Sequence, residues 1–295
     1  MPELPEVETV RLGLEPVLLG GTFARVSTNR ADLRFPFPED FTQRLSGARV
    51  DRLVRRAKYL IAHLSTGEVL VMHLGMTGRF HVQGRPSDKP LLLGEYELSV
   101  AAGEKHMHAV FDMADGGRVA YFDPRRFGYM LLIPETELAA HPLMRGLGVE
   151  PLTDDLDPPY LAQRAAGRKT DLKAFLLDQR IIAGLGNIYV CEALFRAGLK
   201  PSRRASVLAD RAGRSTPHAE RLVTEIKAVL RAAIQAGGST LKDYRHADGA
   251  SGSFQTSFQV YGREGEPCVT PGCRGTVQRS IQAGRSSFFC PSCQR

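Results

Sequence analysis

At Pro134 the hydrophobic pattern of this chain changes period. Before it, apolar residues fall in short β-rich runs at 22–28, 48–54, 59–64, 69–74, 108–113, 118–122 and 129–133. Ser65-Thr66-Gly67 and Asp115-Gly116-Gly117 supply turn signals between them. Runs of that length with turns at that spacing predict an antiparallel β-sandwich. A single helix precedes it, with Val7, Val10 and Leu14 on one face and an end near Gly20-Gly21.

Residues 134–159, rich in Pro and acid, read as a connection between domains. Beyond them the pattern is helical. Leu172, Phe175, Leu176 and Leu177 mark one helix after Thr170, a candidate N-cap, and residues 188–197 mark a second. The glycine-rich stretch 179–186 separates the two. A longer helix is expected from Thr216-Pro217 to about Ala236, followed by a loop-like segment to Glu266. A chain of 295 residues can hold two domains and an appendage. The expected division is a β-sandwich domain at 1–134, a linker at 135–159, a helical domain at 160–266 and a metal-binding tail at 267–295.

Four of the five cysteines lie in that tail: Cys268 and Cys273, then Cys290 and Cys293. Two close pairs bracketing a short hairpin can place four thiolates around one tetrahedral zinc, the zinc-ribbon arrangement. With every ligand a thiolate no coordination position stays open, so one structural Zn²⁺ is expected and no catalytic cofactor. The odd cysteine count and the clustering argue against a secreted disulfide framework. Cys191, on a helix, reads as a small buried hydrophobe.

No apolar run is long enough for a membrane span, and no charged-then-apolar leader is visible, so a soluble cytoplasmic protein is expected. The 39 Lys and Arg exceed the 32 Asp and Glu by seven, a balance that suits a polyanionic partner without establishing one.

The opening Met-Pro-Glu-Leu-Pro-Glu carries chemistry if Met1 is removed. The exposed prolyl nitrogen of Pro2 would be an α-amine, with a reference pKa of roughly 7.7–8.0, and so more often neutral near pH 7 than a lysine. A neutral amine can attack a carbon electrophile. Glu3 stands beside it as a proton donor, and Glu6, in the first turn of the helix, looks back toward the same point. An ordinary helix start, with proline early and an acid at the positive end of the dipole, would use the same residue types.

The run from Met1 to Val10 resembles the opening of the formamidopyrimidine-DNA glycosylase family, bacterial enzymes that remove oxidised purines from DNA. Arg-Arg-Ala-Lys-Tyr at 55–59, His-Leu-Gly-Met-Thr-Gly at 73–78, Asp-Pro-Arg-Arg-Phe-Gly at 123–128, the 184–193 segment and the four-cysteine tail resemble further blocks of that family. The resemblance implies a helix–two-turns–helix element in the helical half. It implies attack by Pro2 on C1′ of the damaged nucleoside, a Schiff base, and β- then δ-elimination. Glu3 would be general acid and proton shuttle, Glu6 a positioning carboxylate, and Lys58 and Arg285 helpers in elimination. Met76, Arg125 and Phe127 match the residues that fill the gap left by an extruded nucleotide and face the orphaned base. His73, His106, Arg168 and Asn187 match further DNA contacts, with Lys173 adding charge nearby. Thr77 and residues 237–258 are candidates for holding the extruded base.

The implied partner is damaged double-stranded DNA, met by a monomer in the bacterial cytoplasm. Endonuclease VIII-like enzymes, which prefer oxidised pyrimidines, are the nearest alternative; Leu4 and the wedge residues favour the purine reading. A DNA-binding zinc protein without catalysis is the alternative from another class. The four-residue spacing of the first cysteine pair departs from the two common in the family.

Overall fold

A computed structural model describes residues 1–83, 91–94, 104–239, 253–282 and 284–295. The chain divides into two compact units, one of residues 1–145 with 236–253 and the other of residues 146–235 with 254–295.

The first unit begins with helix α1 (Leu4–Leu18), followed by strand β1 (Phe23–Thr28), the short α2 (Phe41–Leu45) and strands β2 (Val50–Arg56), β3 (Tyr59–Leu64) and β4 (Glu68–His73). Then come β5 (Arg79–Gln83), β6 (Leu91–Gly94), β7 (Met107–Met113), β8 (Arg118–Phe122), β9 (Tyr129–Pro134) and the short α3 (Pro142–Arg145). The strands form two antiparallel sheets, ordered β1-β7-β8-β5-β6 and β2-β3-β4-β9. Phe23, Phe80, Phe111 and Val119 of the first sheet share one core with Leu60, Ala62, Leu70 and Met72 of the second. Val7, Val10, Leu14 and Leu18 bring α1 into it. This is the expected sandwich with its leading helix.

Two strands go beyond the expected runs. In β5, Phe80 and Val82 alternate with Arg79, His81 and Gln83, a period-two signal masked by the glycine-bounded loop before it. β6 is a run of three leucines and a glycine, too short to distinguish from a buried loop.

The second unit holds α4 (Pro158–Ala165), α5 (Leu172–Leu177), α6 (Asn187–Ala197), α7 (Pro217–Gln235) and the hairpin β10 (Gln278–Gln282) with β11 (Arg285–Phe289). α4 begins inside the segment expected to be a connection. Asp157 caps it by accepting from the Tyr160 amide at 2.7 Å, and Pro158-Pro159 fill positions that need no amide donor. The N-cap of α5 is Asp171 rather than Thr170, whose carbonyl instead accepts from the Ala205 amide at 2.9 Å. α6 ends at Gly198, in the left-handed conformation.

Candidate active site and nucleic-acid interface

The start of α1 is a capping box. Glu3 is the N-cap; its side chain accepts from the Glu6 backbone, while the Glu3 amide donates to Glu6 Oε2 at 2.9 Å. Both acids and Pro2 are buried, whereas Met1 is 40% exposed. Glu6 Oε1 accepts from the amide and the hydroxyl of Ser239, each at 2.8 Å. Both oxygens of Glu6 are therefore engaged in fixing backbone, which suits orientation better than proton transfer. Nothing in the local sequence pairs position 6 with position 239; only the fold does.

Lys58, also buried, sits in the two-residue turn between β2 and β3, where Arg56 pairs with Tyr59. The turn is tied to α1 through Arg55. Its Nε donates to Glu8 at 3.0 Å and its guanidinium also donates to the Ala57 carbonyl at 3.0 Å. Ala57 has φ 53°, a left-handed conformation that an alanine adopts at a cost.

His73 ends β4. Its ring stacks on Tyr129 at 5.1 Å, and Nδ1 accepts from the Gly75 amide at 3.0 Å, which leaves the proton on Nε2. Burial, reinforced by the charges of Lys58 and Arg34, pushes its pKa down to about 4, so the imidazole is neutral at physiological pH. A neutral imidazole can still donate Nε2–H to a phosphate oxygen.

The loops 74–78 and 123–128 are built around Asp123, which is 0% exposed. Its carboxylate accepts from the Thr77 hydroxyl, from the Gly128 amide at 2.7 Å and from the Tyr121 hydroxyl at 3.4 Å. Its carbonyl accepts from His108 Nε2 at 2.9 Å and from the Arg126 amide at 3.1 Å. The Arg125 amide donates to Thr77 Oγ1 at 3.2 Å, closing the link between the loops. Gly75 lets them touch, because a Cβ there would fall 2.3 Å from the Phe127 carbonyl carbon and the Gly128 nitrogen.

On this frame Arg125 lies 4.7 Å from the centroid of the Phe127 ring, and Phe127 is 43% exposed. Met76 is half-buried rather than exposed at a loop tip. Thr77 is buried with its hydroxyl given to Asp123, an arrangement that argues against its holding a base. His106, half-buried, offers its carbonyl to the Asp123 amide at 3.1 Å. Of residues 237–258, those from 240 to 252 lie outside the described residues.

In the second unit, Gln179 shapes the turns before α6: its amide donates to the Leu185 carbonyl at 2.8 Å and its oxygen accepts from the Gly184 amide at 2.9 Å. Asn187, the first residue of α6, donates to the Ser286 carbonyl at 3.0 Å, while its Oδ1 is buried without a partner. The free amides of a helix start lie beside it. Arg168 is exposed, as a phosphate contact requires, and so is Arg285, at the head of β11.

Lys173 departs from expectation. It is 1% exposed, and its Nζ donates to the Ser286 carbonyl at 2.8 Å and to Ser287 Oγ at 2.7 Å. Its charge fastens the hairpin that carries Arg285 instead of meeting solvent. Glu192, unmarked by any local pattern, is 0% exposed and accepts from the amides of Gln259, Val260 and Tyr261 at 2.9–3.1 Å.

The sulfurs of Cys268, Cys273, Cys290 and Cys293 all lie within 4.8 Å of one another. Cys268 to Cys293 is 3.7 Å and Cys273 to Cys290 is 3.8 Å. A tetrahedron with metal–sulfur bonds of about 2.3 Å has edges of about 3.8 Å, so four thiolates in this arrangement fit one metal ion. Gly275 is needed there, since a Cβ would lie 2.7 Å from Cys290 Sγ. Cys191 is buried against the same cluster, packed with Cys268 and Cys290, as a small apolar residue.

The chain matches the model of the formamidopyrimidine-DNA glycosylase N-terminal domain over residues 1–130 and that of the H2TH domain of the same enzymes over residues 147–245. It is 56% identical to a formamidopyrimidine-DNA glycosylase of Chelativorans sp. over 299 aligned positions, and 56% identical to one of Azorhizobium caulinodans over 296, in each case covering all of both chains. Among solved structures it is similar to Lactococcus lactis Fpg in complex with DNA containing an abasic site, with a TM-score of 0.82 at 30% identity over 99% of both chains. It is also similar to the MutM (Fpg) protein of Thermus thermophilus, with a TM-score of 0.80 at 40% identity over 99% of this chain and 98% of that one. With both domain models matched in order and full-length relatives above half identity, the chain belongs to the formamidopyrimidine-DNA glycosylase family.

Proposed function

We propose that this protein is a bifunctional DNA glycosylase and AP lyase of base excision repair, acting on oxidised purines such as 8-oxoguanine and formamidopyrimidines in double-stranded DNA. The observation that carries the reading is the buried capping box directly after Pro2, where Glu3 and Glu6 are held by α1 and Ser239. Once Met1 is removed, the Pro2 nitrogen bonds to C1′ as the glycosidic bond breaks and the base departs. Glu3 supplies the proton taken up as the sugar opens, and an iminium (Schiff base) links protein to sugar. Each following elimination removes one C–H proton and expels one phosphate, β on the 3′ side and δ on the 5′ side. Lys58 and Arg285 assist these steps, and Glu6 orients the N-terminus.

His73, His106, Arg168 and Asn187 contact DNA in this scheme, while Met76, Arg125 and Phe127 fill the gap left by the extruded nucleotide. The four cysteines hold one structural Zn²⁺, which shapes the hairpin bearing Arg285. The division we propose keeps residues 1–134 for chemistry, 160–266 for gripping DNA and 267–295 for the zinc finger, joined by 135–159. No helix among the described residues is long and apolar enough to cross a membrane. The proposed working form is a monomer acting on DNA in the bacterial cytoplasm.

The test is borohydride reduction during incubation of Met-processed protein with a duplex carrying 8-oxoguanine opposite cytosine. A covalent adduct is expected, with loss of both adduct and incision when Met1 is retained. Incision by the blocked protein at the normal rate would refute the proline mechanism. Faster cutting at thymine glycol than at 8-oxoguanine would reassign the substrate to oxidised pyrimidines.

A further inference from the structure

A cavity of about 430 Å³ is lined by Leu33, Arg34, Arg125, Arg126 and Phe127. It joins the loop after β1 to the loop of Asp123, and the two are tied by the Arg34 amide, which donates to the Gly128 carbonyl at 3.0 Å. Three arginines line it, and among the described residues no carboxylate does. Asp32, just before the lining residues in sequence, is held by Arg30 at 2.8 Å and lies 3.9 Å from Arg126. Among the described residues Arg34 has no ion pair at all; its guanidinium lies over the Phe35 ring at 5.6 Å. The one carboxylate paired with Arg126, at 3.9 Å, is shared with Arg30, so the like charges here are under-compensated, and an arrangement that keeps them together suits an anion from outside.

A second observation points the same way. Arg126 has φ 56°, a left-handed conformation that non-glycine residues avoid, and it is held there by its amide bond to the Asp123 carbonyl. Strain kept in place by a buried hub marks a side chain aimed for a purpose. The exposed ring of Phe127 suits the face of a sugar, and the planar forks suit the paired oxygens of a phosphodiester.

We infer that Arg34 and Arg126 form a phosphodiester-binding site beside the Arg125–Phe127 pair, so that the loop after β1 is a further DNA-contacting element of the first unit. The inference rests on the function proposed above and adds two residues and a ligand to it. The backbone phosphate can come from the strand carrying the lesion or from its complement.

Binding to a duplex with an uncleavable abasic analogue, measured across a salt series, tests it. Arg34→Gln and Arg126→Gln should each weaken binding roughly five- to tenfold and lower the slope of log affinity against log salt by about 0.9, the value for one lost phosphate contact. Duplexes with a single methylphosphonate, placed one position at a time, identify the strand. The position sought is one where neutralisation weakens the wild type but not the double variant. Unchanged salt slopes in both variants, or no such position in either strand, would overturn the site. The wild type's own borohydride adduct is read separately: its absence would count against the parent function, whereas its presence beside unchanged slopes would count against this site alone.

Discussion

Ala57 and Lys58 show how a single backbone angle can serve a side chain. The turn between β2 and β3 holds Ala57 at φ 53°, with its carbonyl bonded to Arg55, and so fixes where Lys58 leaves the backbone. A left-handed alanine costs roughly 1–2 kcal/mol, part of which glycine returns through its larger unfolded-state entropy. Ala57→Gly should therefore raise stability by up to about 1 kcal/mol, and Ala57→Val should lower it by about 2 kcal/mol or more, as read from urea midpoints. His73 carries a pH dependence. Its folded pKa of about 4 lies below the ordinary histidine value of 6.5, so the unfolded state binds the extra proton first as pH falls. The stability present above pH 6.5 should drain away between pH 6.5 and 4, by at most about 3 kcal/mol. Melting temperatures from pH 7 to 4.5 should fall less steeply in His73→Asn, whose side-chain oxygen can still accept from Gly75; parallel curves would exclude the assignment.

Two loops and one carboxylate make the next level. Asp123 gathers the loops 74–78 and 123–128, so the candidate wedge residues Met76, Arg125 and Phe127 stand on one hydrogen-bonded frame. Asp123→Ala leaves two hydroxyls and an amide buried without their acceptor, at a cost of about 3 kcal/mol, and Thr77→Val should cost about 1 kcal/mol. Beyond stability, Asp123→Asn should slow excision of an intact lesion from duplex at least tenfold while sparing cleavage of a preformed abasic site in single-stranded DNA, where no base must be extruded. Equal losses on both substrates in a gel assay would show that Asp123 merely supports the fold. Sequence patterns reached the loops through their glycines and cations. They did not reach Asp123, because its partners Thr77 and His108 lie 46 and 15 residues away.

At the scale of the molecule, the four-cysteine tail is stapled to the helical elements by a set of polar bonds. Lys173 and Asn187 both bond the Ser286 carbonyl, and Glu192 binds three successive amides at 259–261. Chelation should therefore release one zinc per chain and loosen the hairpin without melting α6 and α7, whose buried apolar faces do not depend on the metal. The check is a metal-release assay beside far-ultraviolet circular dichroism. DNA affinity should fall by about tenfold or more with the helical signal retained, since the hairpin presents Arg285. A full loss of helix would mean that the metal supports the whole second unit.

The sequence by itself determined whatever depends on neighbours along the chain. That covers the β and helical halves, the spacing of the four tail cysteines, the placing of Glu6 in the first turn of a helix, and the family, because periodicity, helix starts and ligand spacing are local quantities. Only the tertiary structure decided which polar groups are buried together. It turned Lys173 from a charge expected near the DNA contacts into a buried tether, committed Thr77 to Asp123, gave Glu6 its partner Ser239, and set Arg34 beside Arg126. Burying a charge or a hydroxyl is tolerable only when a partner meets it, and that partner can stand anywhere in the chain that the fold brings near.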